Sequence, residues 1–158
     1  MSELKSNAIV IRQATEGDGA ALARLRWDFS PDEVQTGLYR FEDFRDEFEQ
    51  FFVSALKSDH WQFWVAESQD KIVGNVYLEL VRKVPRPGRK KHWGYITNVY
   101  VEPELRNQGI GHALIEAIIN SAKENNLEFL VLWPSKESID FYKSFGFQSA
   151  QEAMQLYL

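Results

Sequence analysis

Residues 94 to 111 read GYITNVYVEPELRNQGIG, and the fold turns on how this stretch is parsed. Tyr95 to Val101 has the character of a strand, Glu102-Pro103-Glu104 ends it, and Gly109 opens a helix that runs to about Glu124. In that helix Ile110, Ala113, Leu114, Ala117, Ile118 and Ala122 form one broad apolar face, widened by Ile115 and Ile119, so it must lie against a sheet. Between strand and helix, Arg106-Asn107-Gln108-Gly109-Ile110-Gly111 puts two glycines and several unpaired amides at a helix start, a geometry suited to a phosphate or pyrophosphate. Arg106 adds a full positive charge. The string lacks the lysine and the serine or threonine of an ATPase phosphate loop, and it is too short for a dinucleotide fingerprint.

Working outward, a chain of 158 residues with 44% hydrophobic and 26% charged residues suits one domain, residues 1–158, with one substantial core. It has no cysteine, which excludes disulfides, thiolate catalysis and zinc-cysteine or iron–sulfur sites as properties of these residues. His60, His92 and His112 are too few for a histidine-rich site, so no metal is expected. The opening MSELKSNAIVIRQ lacks a secretory pattern, and no apolar run approaches the roughly 20 residues that span a bilayer. The expectation is a soluble, cytoplasmic protein without membrane contact.

A formal charge of −5 argues against nucleic acid as the partner, but the charge is polarised. Arg82, Lys83, Arg86, Arg89, Lys90 and Lys91 crowd a proline- and glycine-containing segment, read as a loop between strands. Asp32, Glu33, Glu42, Asp43, Asp46, Glu47 and Glu49 dominate the opposite pole.

Upstream, residues 8–13 read as a strand and about 18–28 as an alanine-rich helix ending at Trp27 and Phe29, core or cleft-wall aromatics. Ser30-Pro31-Asp32 reads as a break. Phe44, Phe48, Phe51, Phe52, Ala55 and Leu56 then repeat at helical spacing over about 42–57. Residues 61–67 and 72–81 form a hairpin across Ser68-Gln69-Asp70-Lys71, with Tyr77, Glu79 and Val81 on one face and Val76, Leu78 and Leu80 on the other. Downstream, the apolar run 127–133 reads as a strand buried on both faces. Pro134-Ser135 starts a short helix ending at Phe141-Tyr142, Gly146 supplies a closing turn, and about 151–157 forms a last strand. The order is strand, two helices, three strands, helix, strand, helix, strand: an α/β or α+β domain with much antiparallel pairing.

Asn98 to Pro103 leading into RNQGIG and a long apolar helix resembles the acetyl-CoA signature of the GNAT (GCN5-related N-acetyltransferase) superfamily. The strand LEFLVLW followed by Phe141-Tyr142-Lys143-Ser144-Phe145-Gly146-Phe147 resembles the second signature, and with the opening strand and helix pair the likeness covers essentially the whole chain. The resemblance implies a mixed, mostly antiparallel sheet of about six strands flanked by about four helices. It implies that the amides of Gln108, Gly109, Ile110 and Gly111, with Arg106, hold the pyrophosphate of acetyl-CoA. It also implies that Val99 and Val101 pair through backbone groups with the pantetheine arm, and that a bulge in their strand lets an amide near Val99 polarise the thioester carbonyl.

Tyr142 matches the tyrosine that protonates the departing thiolate in many relatives. Where those relatives carry asparagine and alanine, seven and four residues before that tyrosine, this chain has Ser135 and Ser138, shorter groups at cofactor-contact positions. Transfer passes directly to a neutral amine, for which Glu79 is the first candidate base and Asn98 a residue that positions water or acceptor. The acidic pole lies where the family shapes its acceptor mouth, which points to a small cationic amine or polyamine; a protein or peptide amine, a longer acyl donor and a noncatalytic acyl-CoA-binding protein stay open. A homodimer is compatible with the resemblance.

Overall fold

The computed structural model describes residues 8–150 and 153–158. Its elements are β1 (Val10–Gln13), α1 (Gly19–Asp28), α2 (Pro31–Gln35), α3 (Phe41–Leu56), β2 (Trp61–Ser68), β3 (Lys71–Arg82), β4 (His92–Val101), α4 (Ile110–Glu124), β5 (Leu130–Val131) and α5 (Ile139–Lys143). The five strands form one sheet in the order β1-β2-β3-β4-β5, antiparallel throughout except for the parallel β4–β5 pair.

Two cores sandwich the sheet. On one face α4 lays Ile110, Leu114, Ile115 and Ile118 over Val76, Leu78 and Ile96. Each such aliphatic side chain, fully buried, contributes about 1.5–3 kcal/mol. On the other face α1 and α3 bring Leu22, Leu25, Phe48 and Phe52 against Phe63, Val65 and Tyr77. Phe48 and Phe52 are therefore packing residues, whereas Phe51 is 44% exposed and Phe44, partly buried, lines a surface hollow. Gln69 and Asp70, with φ of 51° and 62°, make the tight β2–β3 turn, a left-handed pair whose twist matches the strands it joins.

Gly94 is where β4 meets β5. A Cβ there would stand 2.6 Å from Leu130 and 2.8 Å from Leu78, so only glycine lets the two strands close up. Glu128 N–H donates to the His92 carbonyl at 2.9 Å and Gly94 N–H to the Phe129 carbonyl at 3.0 Å. The basic loop is clamped to the same place: Lys83 pairs with Glu128, and Lys90 Nζ donates to the Leu127 carbonyl at 2.9 Å.

Several expectations are corrected. Ser30-Pro31 does not merely interrupt the chain, because proline at the first helical position opens α2. The strand expected over 127–133 shortens to Leu130–Val131, and it is not buried on both faces: Leu130 and Leu132 join the core while Phe129 and Trp133 are exposed. Of the last expected strand, Gln151 and Glu152 lie outside the described residues, and Ala153–Leu158 has no regular structure. The sheet of about six strands is thus one of five among the described residues.

Candidate active site

The bulge in β4 decides the local geometry. Tyr77 pairs with Thr97 and Asn75 with Tyr100, so three steps along β4 oppose two along β3. The extra residue is accommodated at Asn98, whose φ of 55° is left-handed, a conformation asparagine tolerates better than most side chains. The strand's alternation flips there: Ile96, Val99 and Val101 all face α4, while Tyr100 turns to the other core. Neither Asn98 nor Val99 has a register partner on β3 or β5. Asn75, fully buried, donates from Nδ2 to the Asn98 carbonyl at 2.6 Å and pins the bulge. Among the described residues its Oδ1 and the Tyr77 hydroxyl are buried without hydrogen-bond partners. Burial pushes the Tyr77 phenol far above its usual range; the Asn98 side chain lies near enough to temper that rise without bonding to it.

β4 and β5 pair only at Gly94–Leu130 and Tyr95–Val131. Beyond that point the strands part, and a cleft of about 590 Å³ opens beside α4. Val99, Tyr100 and Val101 line one side, Arg106, Asn107, Gly109 and Gly111 the end, and Ser135, Ser138 and Tyr142 the far side. Phe29, at the end of α1, leans over it against Tyr100 with ring centroids 5.4 Å apart.

Gly109 is the N-cap of α4 with φ 83° and no side chain to satisfy the helix start. The first helical bond runs from Ala113 N–H to the Gly109 carbonyl at 3.0 Å, leaving the amides of Ile110, Gly111 and His112 ahead of it without helical acceptors. Arg106 is held beside them: its Nε donates to the Val101 carbonyl at 3.0 Å, and its guanidinium lies 5.7 Å from the Tyr100 ring centre. Unpaired amides, a helix dipole and a tethered guanidinium together suit a pyrophosphate. Ser135 Oγ donates to Ser138 Oγ at 3.2 Å, and Ser138 Oγ to the Ser135 carbonyl at 3.0 Å, so the two serines occupy each other at the cleft wall.

Tyr142 is buried at 8% exposure, and burial raises its phenol above the ordinary value near 10.0, which keeps the proton on. Of the residues anticipated from sequence, Val99, Val101, Arg106, Gly109, Gly111, Ser135, Ser138 and Tyr142 line this one cleft. Gln108 and Ile110 do not: the Gln108 side chain donates to the Glu104 carbonyl at 3.3 Å and Ile110 is buried in the core, so each has only its amide to offer. Asn98 stands at the bulge behind Val99, and Glu79 lines a different hollow on the other side of the sheet. Sequence reasoning missed Asn75, although a lone amide within the apolar run IVGNVYLEL was a visible irregularity.

A sheet splayed beside a bare helix start, with a buried tyrosine across the gap, is an arrangement suited to an extended ligand with a phosphate-bearing end, as in the acetyltransferase class. The chain belongs to the Acetyltransferase (GNAT) family, whose model matches residues 20–147. The crystal structure of a predicted acetyltransferase with acetyl-CoA from Clostridium acetobutylicum superposes with a TM-score of 0.78 at 28% identity, covering 95% of this chain and 96% of that one. An uncharacterized N-acetyltransferase of Methanocaldococcus jannaschii is 31% identical over 106 residues, 64% of this chain and 45% of that protein. The glucosamine 6-phosphate N-acetyltransferase of Trypanosoma brucei brucei is 33% identical over 86 residues, 54% of this chain and 57% of that protein. The chain thus spans about half the length of these two curated relatives. Among the described residues no helix is long and apolar enough to cross a membrane.

Proposed function

We propose that this protein transfers the acetyl group of acetyl-CoA directly to a primary amine, and that the amine is small and cationic. The observation that carries this reading is the single cleft shared by residues 99–111 and 135–142, segments separated in sequence and joined only by the fold. Acetyl-CoA supplies an activated thioester. The amides of Gly109 to Gly111 and Arg106 hold its pyrophosphate, and the edge of β4 at Val99 and Val101 receives its pantetheine arm. The Val99 amide, released from sheet pairing by the bulge, donates to the carbonyl oxygen as negative charge develops there. Tyr142 gives its proton to the departing sulfur.

With no cysteine in the chain, a cysteine-bound acyl intermediate is not available, and the amine attacks the thioester itself. Ser135 and Ser138 contact the cofactor weakly, because their hydroxyls already bond within the pair. Glu79 lines a different hollow from Tyr142, so as a base it would take the amine's proton only through water, which Asn98 would help to position. The cationic preference rests on charge: Asp32, Glu33, Glu42, Asp43 and Glu47 stay exposed on α2 and α3, where Glu33, Asp43 and Glu47 line a hollow together with Arg26 and Arg40.

The test is a coenzyme A release screen over polyamines, aminoglycosides, amino acids and lysine or N-terminal peptides. Release with small polycations, at rates well above those with neutral amino acids, is the expected outcome. Turnover confined to peptides would replace the acceptor class, and acetyl-CoA binding with no release from any amine would point to a binding protein.

A further inference from the structure

On the face of the sheet away from α4, Glu79, Val81, Trp93, Tyr95 and Trp133 enclose a second hollow of about 450 Å³, also lined by Gln155. Glu79 projects from the middle of the sheet, opposite Trp61 on β2 and Tyr95 on β4. It is half-buried, and among the described residues its carboxylate has neither an ion pair nor a hydrogen bond. Trp133, 65% exposed, meets Tyr95 edge-on with ring centroids 5.1 Å apart, and Trp93 stacks on Phe129 at 5.6 Å.

An unpaired carboxylate among aromatic faces has a definite chemical preference. Ring faces attract a cation within about 6 Å of their centres, and the carboxylate supplies the opposite charge. A neutral apolar guest would strip water from Glu79 without compensation, and an anion would be repelled. Organic ammonium is the class that satisfies both walls.

The hollow lies on the opposite side of the sheet from the cofactor cleft, and both border the point where β4 and β5 part. Tyr95 and Trp133 stand where β4 and β5 stop pairing, and Val99 and Ser135 face each other across the cleft farther along the same two segments. From Tyr95 to Val99 is at most about 13 Å of strand at about 3.3 Å per residue, a span that an extended diamine can cover.

We propose that this hollow is the subsite for the second, non-reacting cationic group of a diamine acceptor, with Glu79 as its counter-charge and Trp93, Tyr95 and Trp133 as its walls. The proposal rests on the amine acetyltransferase reading above and makes Glu79 an anchor for the acceptor. An acceptor so held presents its other nitrogen, as the free amine, to the thioester near Val99.

The test compares hexamethylenediamine with n-hexylamine, which share a carbon chain and differ by one cation. The wild type is expected to show kcat/KM about tenfold higher for the diamine, between the scales of an exposed and a desolvated cation–aromatic contact, expressed in KM. Glu79→Gln and Trp133→Leu should each bring the two amines to near equality while unfolding at the wild-type temperature. Tetramethylammonium, which cannot be acetylated, should compete with the diamine in the wild type and lose potency in Glu79→Gln.

Equal kcat/KM for the two amines in the wild type, or a preference retained in both variants, would overturn the subsite. So would a Glu79→Gln variant that loses kcat equally with both amines, the mark of a general base. Tryptophan fluorescence separates the two levels of inference. Quenching by hexamethylenediamine without coenzyme A release from any amine keeps the subsite and refutes the acetyltransferase reading, whereas absence of quenching in the wild type refutes the subsite whatever the turnover.

Discussion

Tyr142 is assigned a proton-donating role because burial favours its neutral form, and this fixes the pH behaviour. A phenol raised above its ordinary value near 10.0 stays protonated through the neutral range, so kcat should not fall from this cause until pH passes that value, and the alkaline limb should vanish in Tyr142→Phe. That variant is expected to lose about 100-fold in kcat with little change in KM for acetyl-CoA, checked by steady-state kinetics from neutral to alkaline pH. Gly109 works through its backbone. At φ 83° with nothing within 4 Å of an added Cβ, Gly109→Ala meets no neighbour, yet the left-handed conformation costs about 1–2 kcal/mol. Its expected signature is a lower melting temperature and weaker acetyl-CoA binding by calorimetry.

At the level of elements, the bulge in β4 separates fold from function. Asn98→Gly keeps the left-handed φ and should fold and turn over; Asn98→Val forces a branched side chain to φ 55° and should lose about 1–2 kcal/mol along with activity, read by denaturant melts and kinetics side by side. Sequence showed β4 and α4 plainly, since a glycine-punctuated turn between an apolar strand and an apolar helix permits little else. The bulge itself was legible only through family resemblance, because no alternation pattern announces a single extra residue. Leu127 to Trp133 misled for a related reason: uniform apolarity reads as burial on both faces, while Phe129 and Trp133 face outward beside a slot that only the three-dimensional splay of the strands creates. Pairs such as Val99 with Ser135 come together across a gap that no local signal encodes.

Over the whole molecule, the entry of the chain is tied down by charge. Arg12 on β1 donates to Asp18 at 2.8 and 2.9 Å and to Glu67 on β2 at 2.6 and 3.0 Å, joining strand, hairpin and the start of α1. The hydrogen bond from Arg12 is the main reason the Asp18 carboxyl sits below its ordinary value of 3.8. A depressed carboxyl stabilises the fold above its unfolded pKa and ceases to do so as pH falls through the folded one. Asp18→Asn should therefore lower the melting temperature at neutral pH, and the gap should close as the pH drops below about 4. Because a ligand bound only by the folded state raises stability, acetyl-CoA at 100 times its Kd should add about 2.7 kcal/mol, visible as a higher melting temperature.

The most direct measurement of the central claim is the initial rate of coenzyme A release from acetyl-CoA with hexamethylenediamine, the amine product being identified by mass spectrometry. The chain has no cysteine, so its own thiols contribute no background. The expected result is stoichiometric thiol and acetylated amine, intersecting double-reciprocal plots, and loss of both products in Tyr142→Phe. Thiol released at the same rate with and without amine, and no acetylated product, would contradict it.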